Sequence, residues 1–318
     1  MVSSRELVRL PILCKSKKLI NADDQRNSDL IPSAIIPRGM LQLWRQHLHS
    51  YMRLYLAFMQ CMRSNWEGAF RLLQEFHTIS AAWSMTPLSL ATLSRLLDAT
   101  YLQVTGSIPN SLKNYQSLVK LRMKETTGHS HMVDDVCRIA ALNSLMIIRD
   151  PGHDGFASSA ELFADLGKDC PRHPDKRIQA AYNLVRSILE QSSTIIGRKQ
   201  TLQFALNAAK TSHSNTVVCI CLSLMHWHFF RDQVTEQAEK SARAAQNMAN
   251  RVGNKMWAST TAGILGDHLE AAGRSAEAAN TYAEGCKAIE CLPPQVKMQL
   301  GLAQPVGDSM NFDLPGTL

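Results

Sequence analysis

Residues 40–62 repeat apolar positions at helical spacing: Leu41, Trp44, Leu48, Tyr51, Tyr55, Phe58 and Met62. Ser64-Asn65 interrupts the pattern, and a second amphipathic stretch runs from Trp66 to about Ser80, with Phe70, Leu73 and Phe76 on one face. Thr86-Pro87 predicts a helix start, Thr capping and Pro in the first turn, and that helix reaches Val104. Gly106 to Asn110 reads as a turn, Ser111 to Lys124 as a helix and 125–131 as a loop. Met132 to Ile148 follows as a buried helix, Arg149 to Gly155 as a turn, and Ser158 to Leu166 as a short helix. Cys170 to Pro174 breaks the pattern before a helix over Lys176 to Gln191. Further helices are predicted at 198–211, 214–230, 234–251, 254–272 and 275–290, and Pro293-Pro294 ends the series. Period-two alternation never persists, so no strand is predicted. The fold class is all-α: a tetratricopeptide-like α-solenoid of antiparallel helix pairs.

Residue sizes sharpen this reading. A tetratricopeptide repeat places a large and then a small residue on its first helix, a turn former at that helix's end, and small, large and small residues on its second. Residues 265–285 have that spacing: Leu265-Gly266, Leu269, Gly273 at the turn, then Ala278, Tyr282 and Gly285. A blurred copy lies 40 residues earlier, with Met225, His226 and Phe229 followed by Ala238, Ala242 and Ala245. Another uses Leu56-Ala57, Trp66, Ala69, Leu73 and Phe76, and a weaker one spans Leu97 to Gly106. The repeats are irregular, with some overlong helices.

First helices line the concave face of such a solenoid. The positions two and five beyond each large residue point into it: Phe58 and Cys61, Asp267 and Glu270, and Trp227 and Phe230 with Arg231 beside them. A groove offering Trp and Phe suits a partner's extended or helical peptide. The same two aromatics could instead pack between repeats.

The ends differ from the middle. Residues 1–37 carry a polar run and Pro11, Pro32 and Pro37, which reads as a mobile N-terminal arm. Residues 38–292 form the repeat domain, and 293–318, with Pro305, Gly307, Pro315 and Gly316, an extended C-terminal tail.

Composition fits this picture: 45% hydrophobic residues can bury a core. The net charge of +7 is not gathered in one run; its densest cluster is Lys15, Lys17 and Lys18, so it reads as solvation. None of the eight cysteines forms C-x-x-C and most lie in apolar helical runs, as in a reduced intracellular protein. The longest apolar run, Val217 to Phe230, is short and carries Ser223, His226 and His228, so it cannot span a bilayer.

No constellation supports catalysis. His226 and His228 sit two apart on a helix, about 200° around its axis, and cannot share a metal. Cys219 and Cys221 have the same geometry. His129, His131, Asp134 and Asp135 lack a second ligand group at recognisable spacing. Gly152-His153-Asp154-Gly155 lacks a phosphate-loop context. No enzyme, metal, cofactor or small-molecule substrate is expected.

Several segments together resemble the regulatory subunit of the cohesin loader. They are Tyr55 to Met62 through Trp66 and Ala69; Leu97 to Gly106; Asn183 to Arg186 with Gly197-Arg198; and Val217 through Trp257 to Gly273, including Ala245-Gln-Asn-Met-Ala249 and Lys255-Met-Trp257. The similarity covers roughly residues 45–292 and concerns the family's C-terminal half, so the chain reads as half of a larger superhelix. The resemblance implies a non-catalytic, nuclear scaffold. It would embrace the extended N-terminal segment of the large HEAT-repeat loader subunit, reach cohesin indirectly, and associate with chromatin through that complex to support sister-chromatid cohesion. The alternative is a generic tetratricopeptide scaffold of another multiprotein assembly. A helical transcription regulator would need a helix-turn-helix, and none is visible.

Overall fold

A computed structural model describes residues 38–299, apart from 84, 125–130, 150–152, 154, 191–193 and 231–233. The segment read as a mobile arm and residues 300–318 lie outside the described residues, as do most of the 125–131 loop and Arg231. The described residues form thirteen α-helices and no strand. They are α1 Arg38–Met62, α2 Trp66–Ala81, α3 Leu88–Val104, α4 Ile108–Lys124, α5 His131–Ile148, α6 Phe156–Asp169, α7 Lys176–Leu189, α8 Ile195–Thr211, α9 Asn215–Met225, α10 Glu236–Val252, α11 Lys255–Ala271, α12 Ser275–Glu290 and α13 Pro294–Gln299. No helix among them is long and apolar enough to cross a membrane.

Six antiparallel pairs result, α1–α2 through α11–α12, and the first helices of successive pairs also pack on one another. That is an all-α solenoid.

Local chemistry sets the boundaries. The side chains of Asn65, Asp175, Thr194, Thr235 and Asn254 each accept a backbone N–H in the first turn of α2, α7, α8, α10 and α11, satisfying donors that have no partner within the helix. Thr86 does not cap α3; Pro87 holds that position and makes no side-chain bond. The predicted helix over 214–230 is α-helical only to Met225, and His226–Phe230 widens into a π turn.

The same spacing closes three pairs. A small buried residue on the first helix is followed seven positions later by a left-handed turn, and twelve positions later by a small buried residue on the second helix. The triplets are Ala57–Ser64–Ala69, Ala99–Gly106–Ser111 and Gly266–Gly273–Ala278, with turn φ values of 59°, 93° and 75°. Two turns use Gly, which enters this region without Cβ strain. The first uses Ser64 instead.

Ser64 also closes the array on itself. Its Oγ donates to Asn254 Oδ1 at 2.7 Å, while Asn254 Nδ2 donates to the Met62 carbonyl at 2.9 Å. This joins the end of α1 to the start of α11, so the solenoid has come round to meet its own beginning. Met256, Leu292 and Val296 enter the same apolar cluster as Leu54, Phe58, Leu73 and Leu97. Residues 294–299 are therefore not an extended tail: Pro at the first turn starts α13, and Val296 is fully buried against the first pairs.

Candidate protein-binding surface

The sixth pair shows how the repeat positions work. Gly266 lies directly under the ring of Tyr282, where a Cβ would overlap the ring carbons. Leu265, Leu269 and Ala278 are buried beside it, together with Ala242 from α10. The Tyr282 hydroxyl donates to Asp267 Oδ1 at 2.7 Å and to Glu270 Oε2 at 3.3 Å. Partial burial and then the two carboxylates push the Tyr282 phenol well above its usual value, so it stays a donor. Asp267 and Glu270 are exposed, and through Tyr282 they tie the two helices of their pair together.

The fifth pair is built around His226. Its side chain holds the position of Gly266, and its Nδ1 lies 3.2 Å from the carbonyl of Ala238. Its ring meets His268 edge-on at 5.8 Å. Burial holds the His226 imidazole below its ordinary pKa, despite the bond to Ala238, and burial also lowers His228. Ala238, Ala242 and Ala245 are all buried on α10. Trp227 and Phe230 are half-buried within the π turn, neither fully open nor part of the core.

The first pair departs from the groove expectation. Phe58 and Cys61 are 8% and 1% exposed and cannot receive a partner. The closing of the solenoid is the reason: Met256, Leu292 and Val296 share their cluster. Ala57 and Ala69 are fully buried, but Leu56 is 46% exposed, where its counterpart Leu265 is 1% exposed. That position faces the second helix of the preceding pair. Leu265 packs with Ala242 of α10, and at the same place Asp98 accepts from His77 of α2 at 2.9 Å. α1 is the first described helix, so among the described residues nothing precedes it to cover Leu56.

Sequence reading missed the outcome of this. Trp44, Leu48, Met52 and Leu56 recur every four residues and form an apolar stripe along α1. Trp44 alone is 61% exposed. The signal was present in α1, which is apolar on more than one face. Ser50, Leu54, Ala57 and Cys61 are buried, and the stripe lies on the other side. Contiguous apolar exposure is a common feature of interaction surfaces.

Charged side chains fasten the later pairs from outside. Arg274 bonds Glu239 at 2.8 Å and also Glu277, and Arg243 bonds the same two carboxylates, joining α10 to α12. Arg138 of α5 bonds Asp169 of α6 at 2.9 Å, and Asp135 lies 3.2 Å from His173. Cys219 and Cys221 are buried, and burial pushes the Cys219 thiol up to about 12. Among the described residues, no group of three or more His, Cys, Asp or Glu side chains could hold a metal ion.

No curated protein and no solved structure matches the chain. A family model described as cohesin loading factor matches residues 16–276. The match begins inside the segment read as an arm, so part of that segment belongs to the family region, and it runs through all of α1 to α11. The chain, an array of six helix pairs matched over most of its length, belongs to the cohesin loading factor family, and its role lies in cohesin loading.

Proposed function

We propose that the chain is a non-catalytic scaffold subunit of the cohesin-loading complex, and that it holds the extended N-terminal segment of the large HEAT-repeat loader subunit. Through that complex it meets cohesin and chromatin in the nucleus and supports sister-chromatid cohesion. The observation that carries this reading is the exposed stripe of Trp44, Leu48, Met52 and Leu56 on the helix-pair array of a cohesin loading factor. An i, i+4 row of large apolar side chains beside the rest of the array is the kind of surface on which a peptide anchors. Trp227 and Phe230, half-buried on the fifth pair, supply a second contact, with Asp267 and Glu270 of the sixth pair setting its polarity.

Capture of the full chain by a tagged N-terminal segment of the large subunit tests this. Trp44→Asp together with Leu48→Asp should weaken capture about tenfold or more while circular dichroism stays unchanged, because both side chains are exposed. Trp227→Ala should weaken it less. Absence of capture, with no chromatin association in fractionated cells, would return the chain to the reading of a scaffold for another multiprotein assembly.

A further inference from the structure

The formal charge of the chain is not spread through the fold. Residues 38–124, which contain α1 to α4, hold ten Lys and Arg against three Asp and Glu, and the remaining residues sum to zero. All of the net +7 therefore sits in the first two helix pairs. No long run reveals this, because apart from Lys120, Arg122 and Lys124 the cations lie seven or more residues apart.

Two of the three carboxylates in this region are engaged. Glu75 accepts from Arg53 at 3.4 Å, and Asp98 accepts from His77. The equivalent of Arg53 one pair later, 42 residues on, is Arg95, and the equivalent of Glu75 is Ser117. Arg95 accordingly donates to the Ser117 hydroxyl at 3.4 Å, a neutral acceptor that leaves its charge in place. Lys113 and Lys120 lie on the same face of α4, one turn to either side of Ser117, and both are exposed. They stand about 10 Å apart along the helix axis. α4 contains no acidic residue. Among its described side chains the exposed ones are Pro109, Asn110, Lys113, Gln116 and Lys120.

We propose that this face of α3 and α4 binds the phosphate backbone of duplex DNA without reading sequence. A row of Lys and Arg interleaved with Asn, Gln and Ser is the donor set that contacts phosphates. The duplex presents about one negative charge per 1.7 Å of its axis, so cations spaced along a helix meet phosphates in several registers. An acidic protein segment would also use apolar anchors, and among the described side chains α4 exposes no large apolar one. The surface is separate from the α1 stripe and does not depend on it.

Fluorescence anisotropy of a labelled random-sequence 30-base-pair duplex, titrated with the full chain at several salt concentrations, tests this. Arg95→Gln, Lys113→Gln and Lys120→Gln together should weaken binding about tenfold or more and lower the slope of log affinity against log salt by about 2.7, at about 0.9 per phosphate contact. Lys240→Gln, Lys287→Gln and Lys297→Gln together remove the same charge from exposed or part-exposed positions on α10, α12 and α13, and should leave affinity nearly unchanged. The six substituted side chains are outside the core, and circular dichroism verifies that both variants keep the fold. Equal losses in the two variants, an unchanged slope, or no duplex binding at 50 mM salt would each overturn the proposal. So would a polyglutamate peptide that displaces the duplex and itself binds more tightly through the same three residues, because that outcome assigns the face to an acidic protein.

Discussion

The second and sixth pairs hold a tyrosine at the same repeat position and use it in opposite surroundings. Tyr115 lies sixteen residues after Ala99, and Tyr282 sixteen after Gly266. Each hydroxyl reaches the residues one and four places beyond that small residue. Tyr115 meets Thr100 at 3.2 Å and donates to Gln103 at 2.9 Å; Tyr282 donates to Asp267 and Glu270. The geometry is shared, and the polarity differs. Tyr115, Thr100 and Gln103 are buried, where a carboxylate would lose its hydration, so the partners are neutral. Asp267 and Glu270 face solvent and can be charged. The repeat fixes where the latch sits, and depth in the array selects its chemistry.

Four measurements probe that contrast. Tyr115→Ala should have the largest effect, a loss of about 3–5 kcal/mol from the cavity left in the main core, read as a fall in the urea midpoint. A loss no greater than that of Tyr282→Ala would mean the two latches are equivalent after all. Gly266→Ala comes next, at about 1–3 kcal/mol, because the new methyl must displace the Tyr282 ring. Gly263→Ala on the same helix meets nothing within 4 Å and should not destabilise, so equal effects at the two glycines would rule out the contact as the cause. Removing only the hydroxyls separates the latches more finely. Tyr115→Phe removes a buried hydroxyl that bonds both Thr100 and Gln103 and should cost about 1–3 kcal/mol, whereas the exposed partners of Tyr282 rehydrate and Tyr282→Phe should cost under about 1 kcal/mol.

The smallest effect concerns pH. The folded pKa of His226 lies below 6.5, chiefly through burial, so the unfolded chain binds this proton more tightly. Its contribution to stability is present above pH 6.5 and is lost as pH falls below it. His77 has the opposite sign. Its bond to Asp98 raises its pKa, so its contribution is present below 6.5 and fades as pH rises through the folded value. Melting temperatures of the wild type and of His226→Gln should therefore converge as pH drops from 7 toward 5. A constant gap would show that His226 does not change its charge on unfolding in that range.

The same contrast explains what could be read in advance. The sixth pair was legible because its solution is local: Gly266, Gly273, Ala278 and Tyr282 lie within seventeen residues and act on one another. The second pair was read only weakly. Its small positions are Ala99 and Ser111, and the bond from Ser111 Oγ to the Ala99 carbonyl at 2.7 Å, which closes the pair, has no sequence signature. In the first pair the spacing marked Phe58 and Cys61 as groove residues. The residues that cover their neighbourhood, Met256, Leu292 and Val296, are nearly two hundred or more positions away, so periodicity could not report them.

The sequence by itself determined the helices, most of their ends and the paired architecture, because apolar period, caps and turn residues act over a few residues. It also determined the spacing of small residue, turn and small residue, since close helix crossing requires it. The tertiary structure alone decided which apolar faces stay open. Burial is a property of neighbours, and the neighbours come from the curvature that brings Asn254 to Ser64. That closure buries Phe58 and Cys61 of the first pair and lets α13 seat Val296 in a core that begins at α1, while the stripe from Trp44 to Leu56 stays uncovered among the described residues because no described helix precedes α1.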